Sequence, residues 1–214
     1  MMLDLLRRLR RDRRGLALVE FAYFVPILIT MSITGAEFVH YITVKMKISQ
    51  IALHVADNAA RIGEGTVLTA RRVSEGDIND VLTGAGMQAA ELDLYGRGRV
   101  ILSDLEPVAN PNPTNRYRIG WQRCRGAKTQ YLSSYGREGQ TNMTGMGPAG
   151  RQVIAMPNNA TMFVQVFYEY QPLVMQRLAP SMTMMDIGSM AVRERRDLSQ
   201  IFPTTGVTPS MCGG

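Results

Sequence analysis

The sequence has few of the residues on which most enzymes and metal proteins depend. Its 214 residues include only two histidines and two cysteines. These are too few ligands for a zinc module or an iron–sulfur cluster. The sequence also lacks the Gly-x-Ser-x-Gly, Gly-x4-Gly-Lys-Ser/Thr and His-Glu-x2-His motifs of common enzyme classes. We therefore expect no enzyme activity, no metal, no cofactor and no small-molecule substrate.

An excess of positive charge is also missing from most of the chain. Lys and Arg number 24 against 18 Asp and Glu, which gives a net charge of +6. Residues 1–15, however, hold six arginines against two aspartates, so most of the excess lies in this basic leader. Basic residues beside an apolar segment are what membrane topology requires. The sequence therefore predicts no nucleic-acid partner.

An apolar stretch follows the basic leader directly. Residues 16–36 contain a single charged side chain, Glu20. As a helix they span about 31 Å, close to the thickness of the bilayer core. The positive-inside rule then predicts a single-pass anchor in a bacterial inner membrane, with the amino terminus cytoplasmic and later residues periplasmic. The alternatives are a buried helix of a soluble protein or a cleaved signal peptide, although no clear Ala-x-Ala site follows the stretch.

A motif at the start of this stretch combines Gly15, four small or apolar residues, Glu20 and Phe21. It resembles the processing site of type IV prepilins and pseudopilins. Together with Pro26 and a second acidic–aromatic pair, Glu37-Phe38, the motif resembles the TadE-like family more narrowly. These are pseudopilins of the tight-adherence, or Flp-type, pilus machinery. The resemblance is densest over residues 13–45, and the family segment would extend over about 13–56.

The resemblance implies a role for the first motif residues. A prepilin peptidase would cut between Gly15 and Leu16, and the new ammonium would pair with Glu20 of a neighbouring subunit, next to Phe21. Such pairing would satisfy a carboxylate that lipid penalises. Pro26 has no N–H to donate to the carbonyl oxygen four residues before it, so it predicts a helix kink.

The resemblance also implies partners and a function. The partners would be the inner membrane, the prepilin peptidase, other pilins or pseudopilins, and the pilus assembly platform. The function would be assembly of a tight-adherence pilus and hence surface adhesion, with incorporation into the extracellular pilus as one outcome. The residues alone also allow an uncleaved, single-pass scaffold or binding protein of a periplasmic envelope complex.

Helical periodicity continues beyond the apolar stretch. From Val44 to Ile62, apolar residues recur at spacings of three and four, and polar residues form an opposing stripe. This pattern predicts an amphipathic helix that ends near Gly63. One spine helix over residues 16–62 would be about 70 Å long. Two helices that meet near Thr43 would give much the same pattern.

The residues from 63 to 202 predict a small periplasmic domain. A capping-box sequence at Ser74 predicts a helix over about 75–90. Apolar or alternating runs predict strands at 99–105, 116–123, 161–171 and 184–193. Four strands with little helix between them indicate an antiparallel sheet, one face of which the spine covers. The predicted fold class is therefore α+β. Alternation places Tyr117, Ile119 and Trp121 on one face of the second strand.

Two segments lack any strand or helix pattern. Residues 126–160 contain six glycines and predict a flexible loop, which is either a disordered insertion or a surface for neighbouring subunits or a host. Residues 203–214 predict a flexible tail. Cys124 and Cys212 could form a disulfide in an oxidising compartment, and this bond would stabilise the fold by about 3–4 kcal/mol. Two free thiols and an intermolecular bond are the alternatives.

Overall fold

The computed structural model describes residues 14–66 and 69–213, and it has the predicted α+β architecture. Its elements are α1 (Arg14–Arg61), α2 (Glu75–Gln88), α3 (Leu94–Arg97), β1 (Gly98–Pro107), β2 (Tyr117–Arg125), β3 (Thr161–Glu169) and β4 (Thr183–Ala191). The described residues form two compact units. The first unit contains the residues up to Ile42 together with Gln171–Pro180, and the second contains Thr43–Tyr170 and the residues from Ser181 onward. Of the predicted leader, residues 1–13 lie outside the described part of the chain.

Helix α1 runs without interruption from Arg14 to Arg61. The predicted spine helix is therefore one helix, and the alternative of two helices that meet near Thr43 is wrong. The helix ends just before Gly63, whose φ of 107° lies in the left-handed region. A Cβ at this position would also approach the carbonyl oxygen of Arg72 to 2.9 Å. A glycine is therefore suited to the point where the chain leaves the helix.

Helix α2 begins at the predicted capping box. The Ser74 hydroxyl accepts a hydrogen bond from the backbone N–H of Asp77, and the Asp77 carboxylate accepts one from the backbone N–H of Ser74 at 2.9 Å. These two bonds satisfy donors that the first turn of a helix leaves without partners. The helix ends at Gln88, two residues before its predicted end near 90.

The four predicted strands form one antiparallel sheet in the order β2-β1-β3-β4. Strand β1 is buried along its whole length, and β3 is buried in all but its last residue. This burial agrees with the central position of both strands. Apolar and β-branched residues predominate in β3, which is typical of a strand covered on both faces.

The second part of α1 covers one face of the sheet, as predicted. Gly188 of β4 lies so close to the helix that an added Cβ would stand 2.3 Å from the carbonyl oxygen of Ala52. Further along the helix, the Arg196 guanidinium donates to the carbonyl oxygens of Ala59 and Ile62. The helix backbone thus lies directly against the sheet at Gly188, and there is no room for a side chain at that position.

Residues 126–160 cover the opposite face of the sheet. Met146 and Ala155 from this segment form a buried cluster with Ile119 and Phe163. Backbone bonds add to this contact, because the N–H of Ile119 donates to the carbonyl oxygen of Gln140 at 2.9 Å. The segment contains no helix and no strand. A disordered insertion does not fit these contacts, because the segment supplies part of the core of the domain.

A β-bulge corrects one prediction about β2. Ile119 is opposite Leu105, but Trp121 is opposite Asp104, so Gly120 is an extra residue in β2. Directly opposite residues share a face, and the extra residue therefore places Trp121 on the face of Asp104 instead of that of Ile119. Simple alternation over this strand was wrong because it cannot detect a bulge.

Cys124 and Cys212 form a disulfide, with their Cα atoms 4.7 Å apart. The backbone N–H of Cys124 also donates to the carbonyl oxygen of Ser210 at 2.7 Å. The described part of the predicted tail, residues 203–213, contains no helix and no strand. The disulfide and this hydrogen bond nevertheless attach the end of the tail to β2.

Candidate functional site

The predicted processing position lies in the first turn of α1. Gly15 is exposed, and a Cβ added to it would meet no other atom within 4 Å among the described residues. The side chain of the following residue, Leu16, lies outside the described part of the structure. An open backbone at Gly15 is what close approach by a protease pocket requires.

The first part of α1 exposes its apolar side chains on all sides. From Leu18 to Ala36 every residue is exposed except Val25, which is half-buried. The large exposed side chains include Leu18, Val19, Phe21, Tyr23, Phe24, Ile27, Leu28, Ile29, Met31 and Ile33. An 18-residue window of this helix has a mean hydropathy of 1.7, and no part of that window is buried inside the protein. The helix is therefore long and apolar enough to span a membrane.

Glu20 and Phe21 lie side by side within this exposed surface. Phe21 is 70% exposed, and Glu20 makes no ion pair or hydrogen bond with any residue that the structure describes. A carboxylate on a lipid-facing helix is costly unless it finds a partner. Within one copy of the chain the described residues do not supply that partner. The pair is thus available to a second molecule.

The helix continues through Pro26. The kink predicted at this residue stays a prediction, and it would be a bend within one continuous helix. Three hydroxyl groups after this position bond to carbonyl oxygens four residues earlier in the same helix. Thr30 donates to Pro26 at 2.7 Å, Ser32 to Leu28 at 2.8 Å, and Thr34 to Thr30 at 2.8 Å. All three hydroxyl groups therefore donate within the helix and need no partner outside it, which suits an apolar environment.

Glu37 is the first fully buried residue after the exposed stretch. Its carboxylate accepts a hydrogen bond from the backbone N–H of Val174 at 2.8 Å and one from that of Leu173 at 3.3 Å. Both donors belong to the Gln171–Pro180 part of the same compact unit. Bonds from N–H groups to a carboxylate are stronger than those between neutral groups. Glu37 therefore holds the connection between β3 and β4 beside α1.

The second unit contains a cluster of buried charges. Arg123 of β2 donates to the Glu75 carboxylate through Nε at 3.0 Å, and both side chains are more than 90% buried. Arg118 of the same strand donates to Glu106 of β1 at 2.7 Å. A buried ion pair needs good geometry to offset the loss of hydration. The contact between Arg123 and Glu75 meets this condition, because more than one N–H of the guanidinium donates to the carboxylate.

Asp104 lies in the same cluster and lacks such a partner. It is fully buried, and neither of its carboxylate oxygens accepts a hydrogen bond from a described residue. Burial raises the pKa of Asp104 well above its usual range, and the nearby Glu106 carboxylate raises this pKa further. Burial likewise lowers the pKa of the neighbouring Arg196. The cluster thus contains a buried carboxyl group whose pKa is raised by burial and by a neighbouring carboxylate.

Neither region forms a metal centre among the residues that the structure describes. No group of three His, Cys, Asp or Glu side chains there could hold a metal ion. The charges of the Asp104 cluster are of both signs, and its arginines already bond to carboxylates or carbonyl oxygens. The cluster therefore holds β1, β2 and α2 together electrostatically.

Comparison with known proteins identifies no relative of this chain. No protein-family model, no curated protein and no solved structure matches this chain. The resemblance to TadE-like pseudopilins therefore has no support from a known relative and stays a prediction from the motif residues.

The apolar helix was predicted from the sequence, but two features of the site were not. The contact between Glu37 and the β3–β4 connection had one visible signal, an acid directly after the apolar stretch. The charge cluster also had a signal, because Asp104 and Glu106 follow Val100 and Leu102 on one face of the strand. In both cases the partners lie too far away in sequence to be identified from spacing.

Proposed function

We propose that this chain is a membrane-anchored pseudopilin that is processed after Gly15. In this proposal it takes part in the assembly of a tight-adherence pilus and so in surface adhesion. One observation carries the proposal. The motif from Gly15 to Phe21 stands at the start of a helix that exposes its apolar first part and packs its later part on an α+β domain.

The chemistry of assembly follows from the exposed groups. Cleavage after Gly15 removes the basic leader and creates an ammonium group at Leu16. The unpaired Glu20 carboxylate of one subunit pairs with the ammonium of its neighbour, and the low dielectric of the bundle strengthens this attraction. The exposed apolar side chains around Phe21 leave lipid and pack against other pilin helices. The membrane holds the subunit until this exchange takes place.

The amino terminus of protein extracted from native membranes tests the processing step. We expect a chain that starts at Leu16, detected by intact mass and terminal sequencing. Gly15→Leu should abolish this cleavage, because its side chain obstructs the protease. Gly35→Leu is the matched control, since Gly35 is an exposed glycine of the same helix with no atom within 4 Å of an added Cβ.

The other possible starting points each contradict the proposal. A chain that starts at Met1 identifies an uncleaved anchor and favours an envelope scaffold. A chain that starts after residue 36 identifies a cleaved signal peptide.

Piliation of cells that carry Glu20→Ala tests the assembly step. We expect pili to be lost while the processed protein stays in the membrane at its normal level, because the carboxylate that pairs with the neighbouring ammonium is gone. Glu64→Ala, an exposed acid beyond the end of α1, should leave piliation unchanged. Normal piliation with Glu20→Ala would show that subunit pairing does not involve this residue.

A further inference from the structure

The connection between β3 and β4 is unusually apolar. Residues Gln171–Pro180 belong to the first compact unit and contain a short 3-10 turn, Gln176–Leu178. The segment has a single charged residue, Arg177, and no acid. Connections between strands lie at the surface and are usually polar. This one therefore needs an explanation that its place in a hairpin does not provide.

Three consecutive apolar side chains of this segment are exposed. Leu173 is 61% exposed, Val174 is 47% exposed and Met175 is 53% exposed. A contiguous group of exposed apolar side chains marks a surface that another apolar phase or molecule covers.

Glu37 determines where this apolar segment is held. Its carboxylate accepts hydrogen bonds from the backbone N–H groups of Leu173 and Val174. Glu37 directly follows the exposed stretch from Leu18 to Ala36, and Phe38 and Val39 after it are exposed as well. The backbone of the segment therefore lies beside the helix near the end of its long exposed apolar part.

We infer that residues 171–180 are a membrane-contact loop. The side chains of Leu173, Val174 and Met175 enter the boundary between headgroups and acyl chains, and Arg177 contacts lipid phosphate. This inference rests on the membrane anchor of the proposed function. It assigns the loop a second attachment to the same leaflet in which the span ends.

Three observations favour lipid over a protein partner. The loop is hydrogen-bonded to α1 at Glu37, directly after the exposed apolar stretch, so one bilayer can contact both. The loop carries a cation and no anion, which suits anionic phospholipid headgroups. The acid bonded to the loop, Glu37, is buried and accepts from backbone N–H groups, so it does not present its charge to lipid.

Site-specific photocrosslinking in vesicles tests the inference with the full chain. Benzoylphenylalanine replaces Leu173, Phe24 or Met156 in separate variants, and each is reconstituted in phosphatidylethanolamine–phosphatidylglycerol vesicles. Phe24 lies within the exposed apolar stretch and reports on the anchor. Met156 is the matched control, because it is an equally exposed apolar residue of the second unit. The readout is the mass of lipid added to the protein after illumination.

We expect lipid adducts at positions 24 and 173 and none at position 156. An adduct at 24 without one at 173 overturns the loop inference and leaves the anchor intact. The absence of adducts at both 24 and 173 overturns the anchor and the loop inference together. A crosslink from 173 to a second copy of the chain overturns the inference in favour of a subunit contact.

Substitution of Glu37 tests how the loop is positioned. Glu37→Ala removes both acceptors, so the yield of lipid adduct at position 173 should fall several-fold while the yield at 24 stays the same. Glu37→Gln retains one acceptor oxygen and should restore part of that yield. An unchanged yield with Glu37→Ala would show that the carboxylate does not hold the loop at the membrane.

Discussion

The two compact units place the same kinds of apolar side chains in opposite environments. Ile27 and Ile48 both belong to α1, yet the first is 59% exposed and the second is fully buried. The residue type and the helix are the same in both cases. Only the neighbours differ, because the sheet covers the helix around Ile48 and no described residue covers it around Ile27. Exposure along this helix therefore identifies where another phase must replace a protein core.

Polar groups differ between the units in a corresponding way. In the first unit the hydroxyls of Thr30 and Thr34 bond to the carbonyl oxygens of their own helix, and Glu37 bonds to backbone N–H groups. In the second unit charged side chains pair with each other, as Arg123 does with Glu75. Backbone groups satisfy these polar side chains of the first unit, whereas the charged pair of the second unit needs a folded domain to bring two side chains together.

The largest difference in stability should appear when a charge replaces each of these two isoleucines of α1 in turn. Ile48→Asp loses a buried aliphatic side chain and buries an unpaired carboxylate, so it should lower the free energy of unfolding by at least about 5 kcal/mol. Ile27→Asp should leave this free energy unchanged. It should instead disfavour membrane insertion by about 2.5–3.5 kcal/mol.

Urea unfolding in detergent micelles, followed by the fluorescence of Trp121, separates these outcomes, since Trp121 is the only tryptophan. Membrane fractionation measures insertion. Equal destabilisation by both substitutions would remove the contrast between the two parts of the helix.

A smaller effect should follow from removal of one charge of the buried pair. Arg123→Met leaves the Glu75 carboxylate buried without its partner, so the free energy of unfolding should fall by about 3–5 kcal/mol. A second substitution, Glu75→Gln, should recover part of this loss. Asp57→Asn removes an exposed pair with Arg61 on α1 and should cost only about 0.3–0.5 kcal/mol. A similar cost for both pairs, measured by urea unfolding, would contradict the role given to burial.

The contact between α1 and the sheet can be tested at one glycine. Gly188→Ala places a Cβ 2.3 Å from the carbonyl oxygen of Ala52, so we expect a loss of about 1–3 kcal/mol of stability. Gly84→Ala is the matched control, because no atom lies within 4 Å of a Cβ at this position in α2. Alanine should stabilise that helix by about 0.5–1 kcal/mol. Thermal unfolding that shows the same sign for both variants would contradict the close approach.

The last effect concerns Asp104 and depends on pH. Burial raises the pKa of Asp104, so the folded chain keeps a proton that the unfolded chain has released. The contribution of this group to stability is therefore fully present below the unfolded pKa of about 3.9 and is lost as pH rises through the folded pKa. Asp104→Asn removes this dependence.

The difference in free energy of unfolding between Asp104→Asn and the unsubstituted protein should consequently shift in favour of the variant as pH rises from 4 to 7. Urea titrations at pH 4, 5.5 and 7 measure this difference. A difference that stays constant over the range would contradict the assigned pKa direction.

Much of the fold could be predicted because its signals are local. The capping box at Ser74 uses residues three apart, and its two hydrogen bonds form as expected. The strand patterns predicted all four strands to within a few residues. The bulge at Gly120 was missed because a bulge is defined by pairing with β1, which a strand pattern does not contain. The packing of Met146 and Ala155 was missed because their segment has no periodicity at all.

The helix, its apolar first part and the motif at its start could all be predicted from the sequence, because each depends on residues within a few turns of one another. The bonds from Leu173 and Val174 to Glu37, and the pair of Arg123 with Glu75, became visible in the folded chain alone. These contacts join residues separated by 48 or more positions. Spacing along a chain carries no information about such distances, since they are set by how whole elements pack.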